Sequence, residues 1–589
     1  MENRINIAVI AVIILFGVFA IRLWHLQILR GHEYRQIDER NRLRVLNIPA
    51  PRGIIYDRNN KALVKNIPSF DISILKEYIP EQPEILSDLT RLIGLKPDYL
   101  RSRINKATTR PFRPVVLKQD VSFSEVAKVE ARKSDFQGLQ INVVGSREYV
   151  YGHSGSHLIG YLGSITTKQI DSPKYRGVPP EAFVGQFGVE KVYDEALRGI
   201  AGKKIIEVDA TGSIIQVVRL NRPIKGKDIR LTIDINLQIE AEKSLKGKAG
   251  AIVALIPDTG AILAMASAPS FDPNQFVRGI NPRDWKRLLR DPRKPLLNRA
   301  VQSQYPPGST FKIVTALAAL EAGIINKSTN YYCSGEIYFG RTFRCWKKEG
   351  HGNVNLHRAI TESCDVYFYE IGKRLDIDLL ARYAYGFGLG RPAGVEIEGE
   401  VAGLVPTSGW KLETKQERWF KGETLNTVIG QGYLSATPIQ MASLISAVVN
   451  GGKLYKPYLL IDSEPQINME RTVTIKPENI KLIKEALRGV VIDKDGTGRL
   501  ARSDSGCISG KTGTTQVVGG ILDGKDIPEK FRDHSWFVAY APEDDPQIAV
   551  SVFIEHGGHG STGAAPIAKR VIETFFEGNK TLIKDRKKG

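Results

Sequence analysis

Hydrophobic positions fall into three regimes along the chain. From Ile5 to Leu29 they are nearly continuous: fifteen uncharged residues run from Ile7 to Ile21, and only Arg22 and His25 carry titratable groups beyond them. Fifteen is short of the roughly 20 apolar residues that cross a bilayer core. Arg22 and Trp24 suit an interface, however, and Leu23 to Leu29 extends the helix. Arg22-Leu-Trp-His25 offers no small-residue cleavage site, so an uncleaved single-span anchor is predicted. Arg4 is the only basic residue ahead of the run. The positive-inside signal is therefore weak, and the expected orientation rests on the long hydrophilic remainder.

The second regime, residues 30 to 225, is polar and choppy. It begins helix-like, turns at Pro49 and Pro51, reads as a strand at Ile54 and Ile55 and turns again over Asp57 to Asn60; short alternating segments and weak helices follow. After the link Arg222-Pro-Ile-Lys-Gly-Lys227 come Leu231 to Asn236 and a helix-like Leu237 to Lys246, and the texture changes. Two apolar runs, Ala249 to Ile256 and Ala261 to Ser267, flank the turn Pro257-Asp-Thr-Gly260, which predicts a buried hairpin. A second is predicted from Ser535 to Tyr540 and Ile548 to Ile554 around Ala541-Pro542, with helical stretches between the two. Strands at both ends of a unit with helices between them predict an α+β fold, one antiparallel sheet packed by helices. The expected division is a cytoplasmic tip and anchor over 1–29, a non-catalytic unit over 30–225, a catalytic unit over 226–575 and a basic tail over 576–589.

Composition narrows the partners. With 42% hydrophobic and 25% charged residues, the 589-residue chain is no disordered or fibrous protein. Its formal charge of +19 would raise nucleic acid first in a cytosolic protein. No zinc-finger spacing, RNA-binding signature or basic helix accompanies it. Behind a membrane anchor the charge instead suits anionic lipid or wall polymer.

Three motifs carry chemistry. Pro306-Pro-Gly308 breaks the chain before Ser309-Thr-Phe-Lys312, which opens an apolar stretch ending near Gly323. A helix apolar on all sides is buried, so a lysine in its first turn is anomalous. Ser309 and Lys312 share a face at a spacing of three, and burial favours a neutral amine that can serve as a base. Taken alone, Ser309 could equally be a helix cap and Lys312 a snorkelling surface residue. Ser363-Cys-Asp365 follows 54 residues later, and Lys511-Thr512-Gly513-Thr514 lies on an expected strand of the terminal sheet.

This order resembles the motif set of penicillin-binding proteins and serine β-lactamases. Arg52-Gly-Ile-Ile-Tyr-Asp-Arg-Asn59, His157-Leu-Ile-Gly-Tyr161, Gly188-Val-Glu-Lys191, Leu197-Arg-Gly199, Gly430-Gln-Gly432 and Thr437-Pro-Ile-Gln440 look like the class B penicillin-binding proteins, nearest to the penicillin-binding protein 2 type. The resemblance implies a membrane-anchored peptidoglycan D,D-transpeptidase of lateral wall growth, facing the periplasm from the inner membrane and acylated by β-lactams. Ser309 would be the nucleophile, Lys312 its base and Ser363 the proton relay to the leaving D-alanine. Lys511 would add positive potential, Thr512, Gly513 and Thr514 would hold the substrate carboxylate, and the N–H groups of Ser309 and Thr514 would form the oxyanion hole. Asp365 stands where many relatives carry Asn and lacks its amide donor unless protonated; the acidic form is usual in elongation-type members. Arg52, Asp57 and Glu190 would be structural. A polytopic glycosyltransferase and other elongation-complex proteins would be partners. A division-type transpeptidase, a β-lactamase or β-lactam sensor, and a catalytically idle scaffold are the alternatives.

Four cysteines complete the picture. In an oxidising compartment Cys333 and Cys345 could form a disulfide with Cys364 as a small buried residue. Alternatively Cys333, Cys345, His351 and Cys364 form a Cys3His set suited to tetrahedral structural zinc. No cofactor is expected to take part in the chemistry itself. Cys507 reads as a core residue.

Overall fold

The computed structural model describes residues 2–32, 34, 42–75, 78, 83–98, 100–101, 114–179, 182–208, 214–277, 279–461, 467–504, 507–517 and 528–586. The apolar N-terminal run forms helix α1 (Glu2–Trp24), continued by a π-helical turn over His25–Leu29. Among the described residues, Arg4–Leu29 is the one helical segment long and apolar enough to cross a membrane, and its hydrophobic side chains are exposed. Most of the expected helical start after residue 30 lies outside the described residues.

The polar second regime builds three sheets, the smallest pairing Leu162–Ser164 with Phe183–Gly185. Leu43–Ile48 pairs antiparallel with Gly202–Val208, which pairs in turn with Ile214–Asn221. The largest sheet is centred on the 14-residue strand Ala62–Leu75, flanked by Pro114–Val121 and Leu139–Tyr149 and joined to Ile55–Tyr56. Ile72, Ile74, Leu86, Leu89, Val115 and Leu117 make its core.

A buried ionic knot ties this unit together. Glu190 accepts from Arg52 Nε and from Arg147 Nε, each at 2.8 Å, while Asp194 pairs with Arg52 at 2.8 Å and with Arg198 at 2.7 Å. Burial works to raise the Glu190 carboxyl, but the two arginines outweigh it and hold it below its ordinary range. Removing one partner from such a pair costs about 3–5 kcal/mol, because the other charge stays buried. Arg52 and Glu190 thus take the structural part expected of them; Arg147 and Asp194 join them unforeseen. Asp57 accepts from the Asn59 and Lys61 N–H groups at 2.8 Å and from the Ile235 N–H at 3.3 Å. It therefore couples this unit to helix α2 (Ile235–Ser244), which Asp234 caps.

The third regime is one five-stranded antiparallel sheet: β1 (Gly250–Leu255), β2 (Ile262–Ala268), β3 (Ser509–Thr515), β4 (His534–Ala541) and β5 (Ile548–Ile554), in the order β2-β1-β5-β4-β3. Ala251, Val253 and Leu255 of β1 pack with Ile439 and Ala442. Ile252 and Ala254 point the other way, into a cluster with Leu237 and Ala241 of α2 and with Ala565 and Ala568. Both faces are covered, which is why these strands read as unbroken apolar runs. Helices α3 (Lys312–Glu321), α4 (Asp365–Arg374), α5 (Pro438–Val449), α6 (Pro477–Ile492) and α7 (Ala565–Arg586) surround the sheet. The expected basic tail continues helix α7 as far as residue 586, and 587–589 lie outside the described residues.

Three short antiparallel pairs between the helices went unforeseen: Tyr331–Cys333 with Gly352–Val354, Glu336–Phe339 with Arg341–Arg344, and Lys453–Tyr455 with Met469–Thr472. Strands of three or four residues are too short to show an alternation.

Candidate active site

The Ser309 turn is held by backbone contacts that demand glycine. The Gly308 N–H donates to the Gly430 carbonyl at 2.9 Å with φ at +55°. A Cβ on Gly308 would lie 2.7 Å from the Thr514 carbonyl oxygen, and one on Gly430 only 2.1 Å from the Gly308 oxygen. The Pro306 carbonyl accepts from the Thr515 hydroxyl at 2.7 Å and the Trp536 indole at 3.1 Å. Strands β3 and β4 therefore grip the turn together. Gly308–Phe311 is a 3-10 turn and α3 begins only at Lys312, three residues later than the apolar pattern indicated.

Lys312 is wholly buried, and every residue of α3 from Lys312 to Leu320 is buried. Its amine donates to Asp365 Oδ1 at 2.7 Å, to the Ser363 carbonyl at 2.9 Å and to Ser363 Oγ at 3.3 Å, while the half-buried Ser309 hydroxyl makes no hydrogen bond among the described residues. Lys511 Nζ, also buried, donates to Ser363 Oγ at 2.9 Å and to the Thr512 carbonyl at 3.0 Å. Burial first, then the nearby Lys312 charge, pushes Lys511 well below the usual lysine range against the pull of Asp365. Ser363 thus accepts from two amines, which leaves its own O–H as a donor. It sits at φ +58°, a left-handed conformation costing a non-glycine residue on the order of 1–3 kcal/mol.

Asp365 needs no amide donor here. One carboxylate oxygen accepts from Lys312 and the other from the Trp346 N–H at 3.0 Å. Burial raises this carboxyl, with Lys312 acting in the opposite direction. The Trp346 indole donates to the Glu362 carbonyl at 3.0 Å, so this residue braces both sides of Ser363. No sequence signal marked it.

On β3, Thr512 and Thr514 share one face by strand alternation. The Thr512 hydroxyl lies 2.8 Å from that of Thr497, and the Thr514 hydroxyl accepts from the Gly560 N–H at 3.3 Å. At Gly513 an added Cβ would fall 2.9 Å from the Pro307 carbonyl oxygen and 3.0 Å from the Thr310 methyl. What its side-chain-free backbone provides is the close approach of β3 to the Ser309 turn.

Cys333, Cys345, His351 and Cys364 are all buried, and one ligand atom from each lies within 4.8 Å of the others. His351 Nδ1 is 3.5 Å from the sulfurs of both Cys333 and Cys345. A tetrahedral zinc with bonds of about 2.0–2.1 Å to nitrogen and about 2.3 Å to sulfur separates those atoms by roughly 3.5 Å. The cysteines are free, so Cys333 and Cys345 form no disulfide. Cys345 Sγ accepts the Asp365 N–H at 3.4 Å, which joins the cluster to the Ser363 loop. Cys507, expected in the core, is exposed: it precedes β3 rather than lying within it.

Residues 250–573 match the family described as Penicillin binding protein transpeptidase domain, and 47–231 match the Penicillin-binding Protein dimerisation domain. The chain is 34% identical to the peptidoglycan D,D-transpeptidase MrdA of Salmonella typhimurium, over 98% of this chain and 96% of that protein. It belongs to the class B penicillin-binding proteins. Among solved structures, the complex of penicillin-binding protein 2 with MreC from Helicobacter pylori is 29% identical, covering 91% of this chain and 99% of that one at a TM-score of 0.80. The structure described as "Structural coordination of polymerization and crosslinking by a peptidoglycan synthase complex" is 32% identical, covering 98% and 99% at 0.73. For a penicillin-binding protein of this class, the dimerisation-type unit is the pedestal and the five-stranded sheet carries the transpeptidase site.

Proposed function

We propose that this chain is the D,D-transpeptidase that cross-links peptidoglycan stem peptides during lateral wall growth, acting through a Ser309 acyl-enzyme. The observation that carries the mechanism is the convergence of the Lys312 and Lys511 amines on Ser363 Oγ beside the Ser309 turn. Ser309 Oγ attacks the carbonyl of the penultimate D-alanine as Lys312 takes its proton. The N–H groups of Ser309 and Thr514 receive the oxyanion. The amide bond breaks as the Ser363 hydroxyl hands a proton to the departing D-alanine nitrogen and is resupplied with the proton Lys312 took from Ser309, leaving an ester on Ser309. An amine of a neighbouring stem peptide then attacks the ester, forms the cross-link amide and returns the proton to Ser309. Thr512 and Thr514, with Lys511 beneath them, hold the substrate carboxylate.

The location and partners follow the same reading. Residues 1–29 anchor the chain in the inner membrane, 30–225 form the pedestal and 226–575 act in the periplasm. The neighbours solved with MreC and within a synthase complex support a pedestal and anchor that bind elongation-complex proteins, including a membrane glycosyltransferase.

Incubation with a penicillin is expected to add one adduct mass per chain in intact-mass measurement, persisting over hours. No adduct would remove the serine-acylation reading, and an adduct shed within seconds would place the chain with the β-lactamases.

The Cys3His set fits one structural zinc. With four protein ligands the ion is closed to water, and it would supply rigidity rather than hydrolysis. Held at Cys364, it would fix the backbone of Ser363, whose strained φ needs external support. Protein purified without added metal is expected to carry about one zinc per chain with all thiols free, and chelation to lower its unfolding temperature. Absence of metal together with two missing thiols would assign a disulfide instead.

A further inference from the structure

Beside the catalytic turn lies an aromatic group that the transpeptidase chemistry does not use. Trp410 and Tyr433 have ring centroids 5.2 Å apart at 59°, and Trp419 and Tyr433 are 6.4 Å apart at 58°. The rings are inclined to one another rather than stacked flat. Tyr433 is 37% exposed and the two tryptophans are half-buried. Tyr433 stands three residues beyond Gly430, whose carbonyl accepts the Gly308 N–H, and Gln431 between them donates to the Thr514 carbonyl at 3.4 Å. The segment that carries Tyr433 thus contacts both the Ser309 turn and strand β3.

The aromatic group is also built in advance. Lys411, next to Trp410, has a side chain 1% exposed, and its amine reaches Glu423 at 2.7 Å, Glu417 at 3.1 Å and the Arg418 carbonyl at 3.0 Å. This clamp fixes the loop bearing Trp419, whose indole N–H donates to Thr424 Oγ1 at 2.9 Å. The Trp410 indole N–H and the Tyr433 hydroxyl, by contrast, have no hydrogen-bond partner among the described residues. Rigid rings with unspent polar handles at their rims match a ligand with apolar faces and hydroxyl edges. A pyranose presents such a surface: axial C–H groups on the face, hydroxyl and acetamido groups around the edge.

We propose that Trp410, Trp419 and Tyr433 form a subsite for the sugar backbone of the strand whose stem peptide enters the Ser309 cleft, an N-acetylated hexosamine polymer. The inference rests on the transpeptidase reading for the identity of the polymer. The subsite would hold the glycan alongside the turn, so that a stem peptide branching from it reaches Ser309.

The probe is uncross-linked glycan strands stripped of stem peptides, titrated into the full-length chain in detergent micelles. Indole emission is expected to change on binding, and Tyr433→Ala to weaken binding by about tenfold through loss of one stacked ring. Tyr433→Phe should restore most of that loss, and Trp410→Phe should reduce the emission change and weaken binding, leaving Trp419 as the remaining indole in the subsite. Thermal unfolding of each variant separates lost binding from lost fold. Because no turnover is involved, penicillin labelling of the parent reports separately on the transpeptidase reading. Failure of the parent to bind stripped strands, affinity unchanged in both Tyr433→Ala and Trp410→Phe, or binding only when stem peptides are attached would overturn the proposal.

Discussion

Replacing Ser309 by alanine is expected to abolish covalent penicillin labelling while leaving the unfolding temperature close to that of the parent. The hydroxyl is half-buried and makes no hydrogen bond among the described residues, so its removal strands no buried partner. The turn that carries it depends instead on Gly308, Gly430 and the Pro306 carbonyl. The chemistry, however, has no substitute. Ser363 Oγ is near, but it is engaged by two lysine amines and fixed in a left-handed backbone, and Thr310 Oγ1 donates to the Pro307 carbonyl at 2.7 Å. Loss of the adduct in intact-mass spectra, with unfolding unchanged, is the expected result. Undiminished labelling would move the nucleophile to another residue.

The two apolar hairpins of the catalytic sheet were legible because each keeps its strands on either side of a local turn and both its faces are covered, so composition alone marks them. The candidate catalytic residues were proposed from order: three short motifs, each weak alone, are specific together. What escaped is non-local. Leu43–Ile48 pairs with Gly202–Val208, a partner about 160 residues away along the chain, which no local pattern can indicate. Arg147, on strand Leu139–Tyr149, joins Arg52 at Glu190 from far along the chain, and Trp346 reaches Asp365 across the cysteine loop. The position of the Lys312 amine also follows from tertiary structure. Spacing of three put it with Ser309, whereas the structure turns it onto Ser363 and Asp365, because α3 begins at Lys312 and α4 begins at Asp365 facing it.

That position makes Lys312→Ala the most informative single substitution after Ser309. Penicillin acylation at neutral pH is expected to fall by about 10² to 10⁴, the usual loss when a general base is removed. The same change leaves Asp365 buried without its cation, and breaking a buried pair costs on the order of 3–5 kcal/mol. Slow acylation alone therefore does not separate a missing base from a disturbed site. A double variant does. Lys312→Met with Asp365→Asn removes both charges and keeps similar volumes, so stability is expected to recover relative to Lys312→Met alone. The Asn side chain can still accept from the Trp346 N–H, so the Ser363 loop stays in place. Acylation should nevertheless remain depressed by at least about 10², because nothing in the double variant accepts the Ser309 proton. Stability and acylation rate are then uncoupled, one restored and the other not. Recovery of both would mean that Lys312 serves only to neutralise Asp365, and the base would have to be sought elsewhere, with Lys511 and its strongly lowered pKa as the next group to test.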